Sequence, residues 1–238
     1  MKRLLLIFGV SIGVSQAHDI ITTAITYDRE IIRIMQARCL SCHHPDGVAF
    51  SLTTYTDARP WAEAIKEEVL GRTMPPWGAI KGFGDFRNDQ ALTPEQIELI
   101  ESWADGGVPE GEPADLPTKI SWDAVPTFQP PHGALKITGD FKVNHGFTLD
   151  GLYPENVPEK VSARITVEFP DGTVEPMLWL KDYRAKYAHP FLLRTPLDLP
   201  AGTFIRGMPE GATLWLLPPD SAAAAKAAET PPAAVRAQ

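Results

Sequence analysis

Cys39-Leu40-Ser41-Cys42-His43 is the stretch around which the rest of the sequence is organised. Its two cysteines are the only ones in the 238-residue chain, and His43 follows the second directly. Cysteines one helical turn apart can each form a thioether with one vinyl group of a porphyrin, and the next residue's imidazole then lies under the iron. The stretch therefore predicts one covalent haem c, attached through Cys39 and Cys42, with His43 as an axial iron ligand.

Three other uses of the cysteine pair stay open beside haem. A thioredoxin-like redox pair follows a strand in a βαβ unit, whereas the residues before Cys39 have a helical pattern. Structural zinc would take His43 or His44 as further ligands, but the sequence has no second cysteine pair to complete the usual set of four. A plain disulfide between Cys39 and Cys42 is the third alternative.

Arg72-Thr73-Met74-Pro75-Pro76-Trp77 is the second chemically informative stretch. The proline after Met74 disfavours a helical backbone at the methionine, and two successive prolines make the segment stiff. Such a segment can present a thioether to a haem, so Met74 is the candidate second axial ligand. The alternative is a methionine that fills a gap in a hydrophobic core.

Helical periodicity occurs in three stretches of the first half. Apolar residues recur every three or four positions over residues 28–38. A second helix is predicted from Asp57 as N-cap to Gly71 as the stop, and a third from Thr93, which begins a capping box, to Gly106. These helices would pack around the haem motif.

Two side chains of the second predicted helix are candidates for binding the haem propionates. Arg59 offers a guanidinium and Trp61 an indole N–H, and both groups donate hydrogen bonds to carboxylates.

Residues 26–111 resemble a bacterial class I-type monohaem cytochrome c domain. The resemblance rests on the cysteine–histidine stretch, on Thr73-Met74-Pro75-Pro76-Trp77, and on a closing helix that ends Trp103-Ala104-Asp105-Gly106-Gly107. It implies an all-α fold closed around haem, with His43 and Met74 as the proximal and distal iron ligands and one-electron transfer as the activity. It also places Trp77 among the cofactor-binding residues.

The pattern changes after residue 133 from a helical period to a period of two. Apolar and polar residues alternate over residues 161–169, Pro170-Asp171-Gly172 predicts a tight turn, and residues 173–180 return as a second strand. Shorter apolar runs bring the total to about seven strands: Leu135–Phe141, Phe147–Leu152, Phe191–Arg194, Thr203–Arg206 and Thr213–Leu217. The predicted fold class is therefore two-domain, an all-α cytochrome c domain followed by a small antiparallel β-sandwich.

The predicted sandwich resembles, more weakly, the domains of copper type II ascorbate-dependent monooxygenases. The resemblance rests on residues 154–172 and 199–203. The His-x-His pair that this family uses for copper falls on Glu155 and Val157, so a decisive part of the ligand set is replaced. A working copper site is therefore not expected. The remaining candidate ligands are scattered singly: His132, His145, His189, Met177 and Met208.

The first 17 residues have the pattern of a secretory signal peptide: a basic start, an apolar run over residues 4–14 and a small-x-small cleavage site at Ser15-Gln16-Ala17. That run is too short to cross a bilayer as a helix. We therefore expect a periplasmic or secreted protein with no membrane span after cleavage. The further predicted segments are a cytochrome c domain (18–112), a proline-rich linker (113–132), a β-sandwich (133–218) and a disordered Ala/Pro-rich tail (219–238).

The chain is acidic, with a formal net charge of −8. Loss of Lys2 and Arg3 with the signal peptide makes this about −10. Such a charge argues against nucleic acid as a partner and suits docking on a basic surface of a redox protein. The alternative is that acidity only keeps an exported protein soluble.

Together these patterns predict an exported electron carrier, not an enzyme. One alternative function is a subunit that feeds electrons from haem to copper, or a degenerate copper-dependent monooxygenase-like enzyme. Another is that the sandwich is a docking module for a partner oxidoreductase.

Overall fold

A computed structural model describes residues 23–123 and 127–219. The predicted signal peptide and residues 220–238 of the predicted tail lie outside the described residues.

The helical part of the chain is built from short helices. A π-helical turn, Tyr27–Ile31, leads directly into α1, and a 3-10 turn, Arg59–Trp61, joins α2 to α3. The α-helices of the described residues are α1 (Ile32–Arg38), α2 (Tyr55–Ala58), α3 (Ala62–Leu70) and α4 (Pro94–Asp105). Glycine ends two of these helices, since Gly71 follows α3 and Gly106 follows α4.

The ends of these helices test the predicted caps. The capping box at the start of α4 is confirmed, because Thr93 accepts from the Gln96 amide and the Gln96 side chain accepts from the Thr93 amide. The predicted cap at Asp57 is wrong. The helix begins earlier, and Thr54 is the cap whose side chain accepts from the Asp57 amide.

The second half of the described chain forms two four-stranded antiparallel sheets. One sheet has the order β1-β8-β3-β6 and the other β2-β7-β4-β5. The strands are β1 (Leu135–Thr138), β2 (Phe141–Lys142), β3 (Phe147–Asn156), β4 (Ala163–Glu168), β5 (Val174–Leu180), β6 (Phe191–Leu199), β7 (Phe204–Arg206) and β8 (Thr213–Leu217).

Alternation along β4 explains how the sheets pack. Ile165 and Val167 are fully buried, whereas Arg164, directly before them, is exposed and lies over the Trp179 ring. The buried faces of the two sheets share one hydrophobic core, which includes residues such as Leu149, Leu178 and Leu214. A second core, which includes Ile31, Ile100 and Trp103, lies among the helices.

The segment between α3 and α4 connects the helical core with the sandwich core. The chain leaves the helical core after Val69, enters the sandwich core at Trp77 and Phe86, and returns to the helical core at Leu92. We call residues Trp77–Asn88 the edge strap.

The edge strap pairs with one of the two outer strands of each sheet. Ala79 bridges Leu180 on β5, and Phe86 bridges Leu193 on β6. At Gly84 the strap lies so close to β5 that a side chain would clash with the Met177 carbonyl oxygen. Two sheet edges that would otherwise be open are thus covered by backbone from the first half of the chain.

The predicted fold class, an all-α cytochrome c domain followed by a small antiparallel β-sandwich, is wrong. About 24% of the described residues are helical, the helices are short, and eight strands in two antiparallel sheets dominate. The physical reason is that helical periodicity covers only short stretches, and glycine ends the two longest helices. Between α3 and α4, the glycine- and proline-rich chain cannot continue a helix and buries its apolar side chains against the sheets instead.

An ion pair between exposed Arg87 and buried Asp150 fastens the edge strap to β3. The Arg87 guanidinium donates to both Asp150 carboxylate oxygens, at 3.0 and 2.6 Å, and Asp150 is only 9% exposed. Two-point pairs of this kind are stronger than single hydrogen bonds.

We expect Asp150→Ala to lower the free energy of unfolding by about 1–2 kcal/mol, because it removes a two-point pair whose carboxylate is buried although the Arg87 side chain is 41% exposed. The matched control is Asp85→Ala, which removes the exposed Asp85–Arg194 pair on the same strap and should cost less than about 1 kcal/mol. Urea unfolding followed by tryptophan fluorescence measures both. Equal losses in the two variants would contradict a special role for the Arg87–Asp150 pair.

Candidate haem attachment site

The cysteine–histidine stretch continues helix α1 by one turn. The amide of Cys39 donates to the Met35 carbonyl oxygen at 2.7 Å, and the next turn is closed by bonds to the Cys39 carbonyl oxygen. The amides of Cys42 and His43 donate to that oxygen at 3.1 and 2.9 Å. The backbone therefore has the one-turn spacing that attachment of a porphyrin through two thioethers requires.

Both cysteines are free thiols, and both are half-buried. Cys39 packs against the helical core. Burial raises the pKa of the Cys39 thiol to about 12, Cys42 adds to the rise, and Arg38 opposes it. A thioredoxin-type redox pair works through a thiol of lowered pKa, so this environment does not favour that alternative.

His43 is oriented by a backbone carbonyl. Its Nδ1 lies 3.0 Å from the Phe50 carbonyl oxygen, which fixes the proton on Nδ1 and leaves the Nε2 lone pair available to a metal. Burial lowers the pKa of His43, and the hydrogen bond to Phe50 opposes the shift. The imidazole is thus neutral near pH 7, the form in which histidine binds iron.

The loop after the motif is held tightly against it. The amides of Ala49 and Leu52 donate to the carbonyl oxygens of Cys42 and His43, at 3.3 and 3.0 Å. Gly47 lies so close to this turn that a Cβ would overlap the Cys42 carbonyl oxygen and would lie 2.9 Å from that of His44. A glycine is therefore required here for the loop to close.

We expect Gly47→Ala to destabilise the protein by about 1–3 kcal/mol, because the loop and the motif must move apart. The control is Gly146→Ala, where an added Cβ meets nothing within 4 Å and stability should change by less than about 0.5 kcal/mol. Thermal or urea unfolding compares the two. Equal stability of both variants would show that the loop does not depend on this close approach.

An exposed aromatic surface adjoins His43. The Phe50 ring packs edge-on against the imidazole at 4.8 Å, and the Trp61 indole stacks on Phe50 at 4.3 Å. Both aromatic side chains are 44% exposed. Large exposed aromatic groups beside a candidate ligand offer a flat apolar surface of the kind that packs against a porphyrin.

The other predicted propionate partner lies elsewhere on the same helical segment. Arg59 is exposed, and its guanidinium lies 5.9 Å from the centre of the Tyr55 ring. The structure thus connects Trp61 to His43 through Phe50, whereas the contact that it gives Arg59 is with Tyr55.

Met74 lies just beyond α3 and is half-buried. Its amide donates to the Glu68 carbonyl oxygen at 3.3 Å, as does that of Thr73 at 3.0 Å. The Met74–Pro75 peptide bond is cis. Assignment of Met74 as the second axial ligand stays a prediction.

Trp77, predicted to bind the cofactor, is placed in the sandwich core. It is 4% exposed, stacks on His189 at 4.8 Å and packs against Phe191 at 4.9 Å and Phe86 at 5.9 Å. The structure therefore brings Cys39, Cys42 and His43 into one turn and gives Trp77 different neighbours.

The residues of the predicted linker contact both halves of the described chain. Trp122 stacks on His44 at 5.1 Å, and Phe128 stacks on Tyr153 at 3.6 Å.

The candidate copper ligands of the sandwich differ in burial and in surroundings. His132 and His145 are exposed, Met177 is buried in the core, and His189 lies in the aromatic cluster with its Nδ1 2.9 Å from the Tyr187 carbonyl oxygen. Over residues 23–123 and 127–219, no three His, Cys, Asp or Glu side chains are grouped as a metal site.

The chain was compared with known protein families, curated proteins and solved structures. No protein-family model, no curated protein and no solved structure matches the chain. In the described part of the chain, no helix has the length and apolar character needed to cross a membrane.

The donor set beside α1 fits haem c chemically. It offers two free thiols one turn apart and a neutral imidazole whose second nitrogen is already hydrogen-bonded. Of these features, the Phe50 carbonyl could not be identified from the sequence, because a backbone acceptor seven residues away carries no side-chain signature.

Proposed function

We propose that this protein is an exported one-electron carrier, a monohaem c-type cytochrome in function, with haem bound covalently through Cys39 and Cys42. The observation that carries the proposal is the orientation of His43. Its Nδ1 is engaged by the Phe50 carbonyl oxygen immediately after a pair of free cysteines. Ligating histidines characteristically use their second nitrogen in this way.

Each residue has a distinct task in this proposal. Cys39 and Cys42 would hold the haem covalently, and His43, oriented by the Phe50 carbonyl oxygen, would supply one iron ligand. Met74 would supply the other ligand, and the exposed rings of Phe50 and Trp61 would offer an apolar surface for the porphyrin to pack against. When bound, haem supplies a one-electron Fe(III)/Fe(II) couple, whose potential rises with thioether ligation.

Electron transfer without substrate turnover follows from this ligand set. With both His43 and Met74 as iron ligands, the haem would have no coordination position open to a substrate. The protein would then work outside the cytoplasm, where the signal-peptide pattern directs it, and would exchange electrons with a redox protein. The acidic chain favours a basic docking surface on that partner.

The test is a potentiometric titration of the full chain, matured with haem and followed by visible absorbance. We expect one reversible transition of one electron per chain. A matured chain that shows no such transition, or one that consumes oxygen and ascorbate only after loading with copper, would contradict the proposal.

A further inference from the structure

We infer that the β-sandwich positions Met74 through the edge strap, with Trp77 and Asn88 as positioning residues. The inference rests on the proposed function, since it concerns the predicted second axial ligand. It assigns the sandwich a role in the redox site without any metal of its own.

Met74 is held from its N-terminal side by helix α3. The amides of Thr73 and Met74 both donate to the Glu68 carbonyl oxygen in the last turn of that helix. The chain before the methionine therefore has little freedom to shift.

Trp77 holds the chain on the other side of Met74. Only Pro75 and Pro76 separate them, and three residues span at most about 10 Å. Proline has a fixed φ angle, so this short connection is stiff. Because the Trp77 indole is buried among His189, Phe86 and Phe191, the sandwich core limits where the methionine can lie.

Asn88 fastens the far end of the strap to the start of β6. Its side-chain oxygen accepts from the Leu192 amide at 2.9 Å, and its amide nitrogen donates to the Pro190 carbonyl oxygen at 2.7 Å. These bonds flank Phe191, against which Trp77 packs, and Pro190 directly follows His189, on which Trp77 stacks. Asn88 thus helps to hold in place the His189 and Phe191 rings against which Trp77 packs.

Between the two ends, backbone bonds continue the attachment. Ile80 donates to the Trp179 carbonyl oxygen on β5 at 2.9 Å, and Arg87 donates to that of Leu192 on β6 at 2.9 Å. The strap is therefore held along its length, and a methionine at its entrance loses less conformational entropy on binding iron than one on a free loop.

The consequence is a measurable competition at the iron. A strap that is less firmly held should let an added ligand displace Met74 more easily, while the thioethers and His43 still hold the haem. Imidazole is a suitable probe because it binds ferric haem and changes its absorbance.

The experiment titrates imidazole into the matured wild-type chain and three variants. Asn88→Ala removes the two side-chain hydrogen bonds from Asn88 to Pro190 and Leu192, and Trp77→Phe replaces the indole with a smaller aromatic ring. The matched control is Thr148→Ala, which removes the exposed Thr148–Asp198 hydrogen bond between β3 and the far end of β6.

We expect Asn88→Ala to bind imidazole at least about fivefold more tightly than the wild type, the factor that about 1 kcal/mol produces. Trp77→Phe should change in the same direction, and Thr148→Ala should stay within about twofold. The reduction potentials of the first two variants should fall with the weakened sulfur ligation. If Asn88 and Trp77 acted only through overall stability, the imidazole affinity of each variant, including the control, would follow its free energy of unfolding.

Wild-type imidazole affinity in both Asn88→Ala and Trp77→Phe would overturn the positioning role. A wild-type chain that carries no covalent haem would contradict the proposed function itself, so the two failures are distinguishable. Should Asn88→Ala not fold, Trp77→Phe decides the question alone.

Discussion

The double variant Cys39→Ala/Cys42→Ala is expected to carry no covalently bound haem. The two thiols are the only cysteine side chains of the chain, so no other residue can form the thioethers. Haem staining of a denaturing gel measures this loss directly, because only covalent haem stays with the polypeptide. We expect the signal at the mass of the protein to fall from full to zero.

The matched control for that experiment is Ser41→Ala, which changes a residue between the two cysteines and removes only the weak contact of its hydroxyl with Cys42 Sγ at 3.9 Å. Its staining should equal that of the wild type. Haem at the protein's mass in the double variant would rule out attachment through these cysteines.

Met74→Ala should lower the reduction potential by roughly 0.1–0.3 V, part of the ~0.8 V range over which axial ligands set haem potentials. In the proposed ligand set, loss of the Met74 sulfur would remove a ligand that favours the ferrous state and would leave one iron position open. Redox titration measures the first effect, and binding of added imidazole or cyanide measures the second.

The comparison variant is Met208→Ala, which removes a half-buried methionine at the edge of the sandwich core. Its potential should stay at the wild-type value. A wild-type potential in Met74→Ala would mean that another residue is the second axial ligand.

Local patterns predicted local structure well. The capping box at Thr93 and Gln96 and the alternation that produces β4 depend on neighbours in the sequence, and both are present in the structure. The start of the second helix was less predictable, because Thr54 and Asp57 are both good caps and only packing chooses between them.

The error in fold class has a long-range cause. Trp77 follows the methionine segment directly, so its neighbours in sequence associate it with the haem motif. Its neighbours in space are His189 and Phe191, more than a hundred residues later. No periodicity marks a glycine-rich strap that pairs with sheet edges, since it forms isolated bridges at Ala79 and Phe86.

The candidate site also has features that the sequence predicts and features that it does not. The spacing of Cys39, Cys42 and His43 is a property of one turn of chain and is visible in the sequence. The Phe50 carbonyl that orients His43 and the close approach of Gly47 depend on how the following loop folds back. Such contacts are made by backbone atoms, which every residue has, so no side-chain pattern announces them.

The most direct test of the central claim is the metal content and intact mass of the full chain, matured with haem, exposed to excess copper and desalted. The account predicts one iron per chain, a denatured mass that exceeds the polypeptide by one haem, and no retained copper. A chain that keeps the bare polypeptide mass and holds no iron would contradict it.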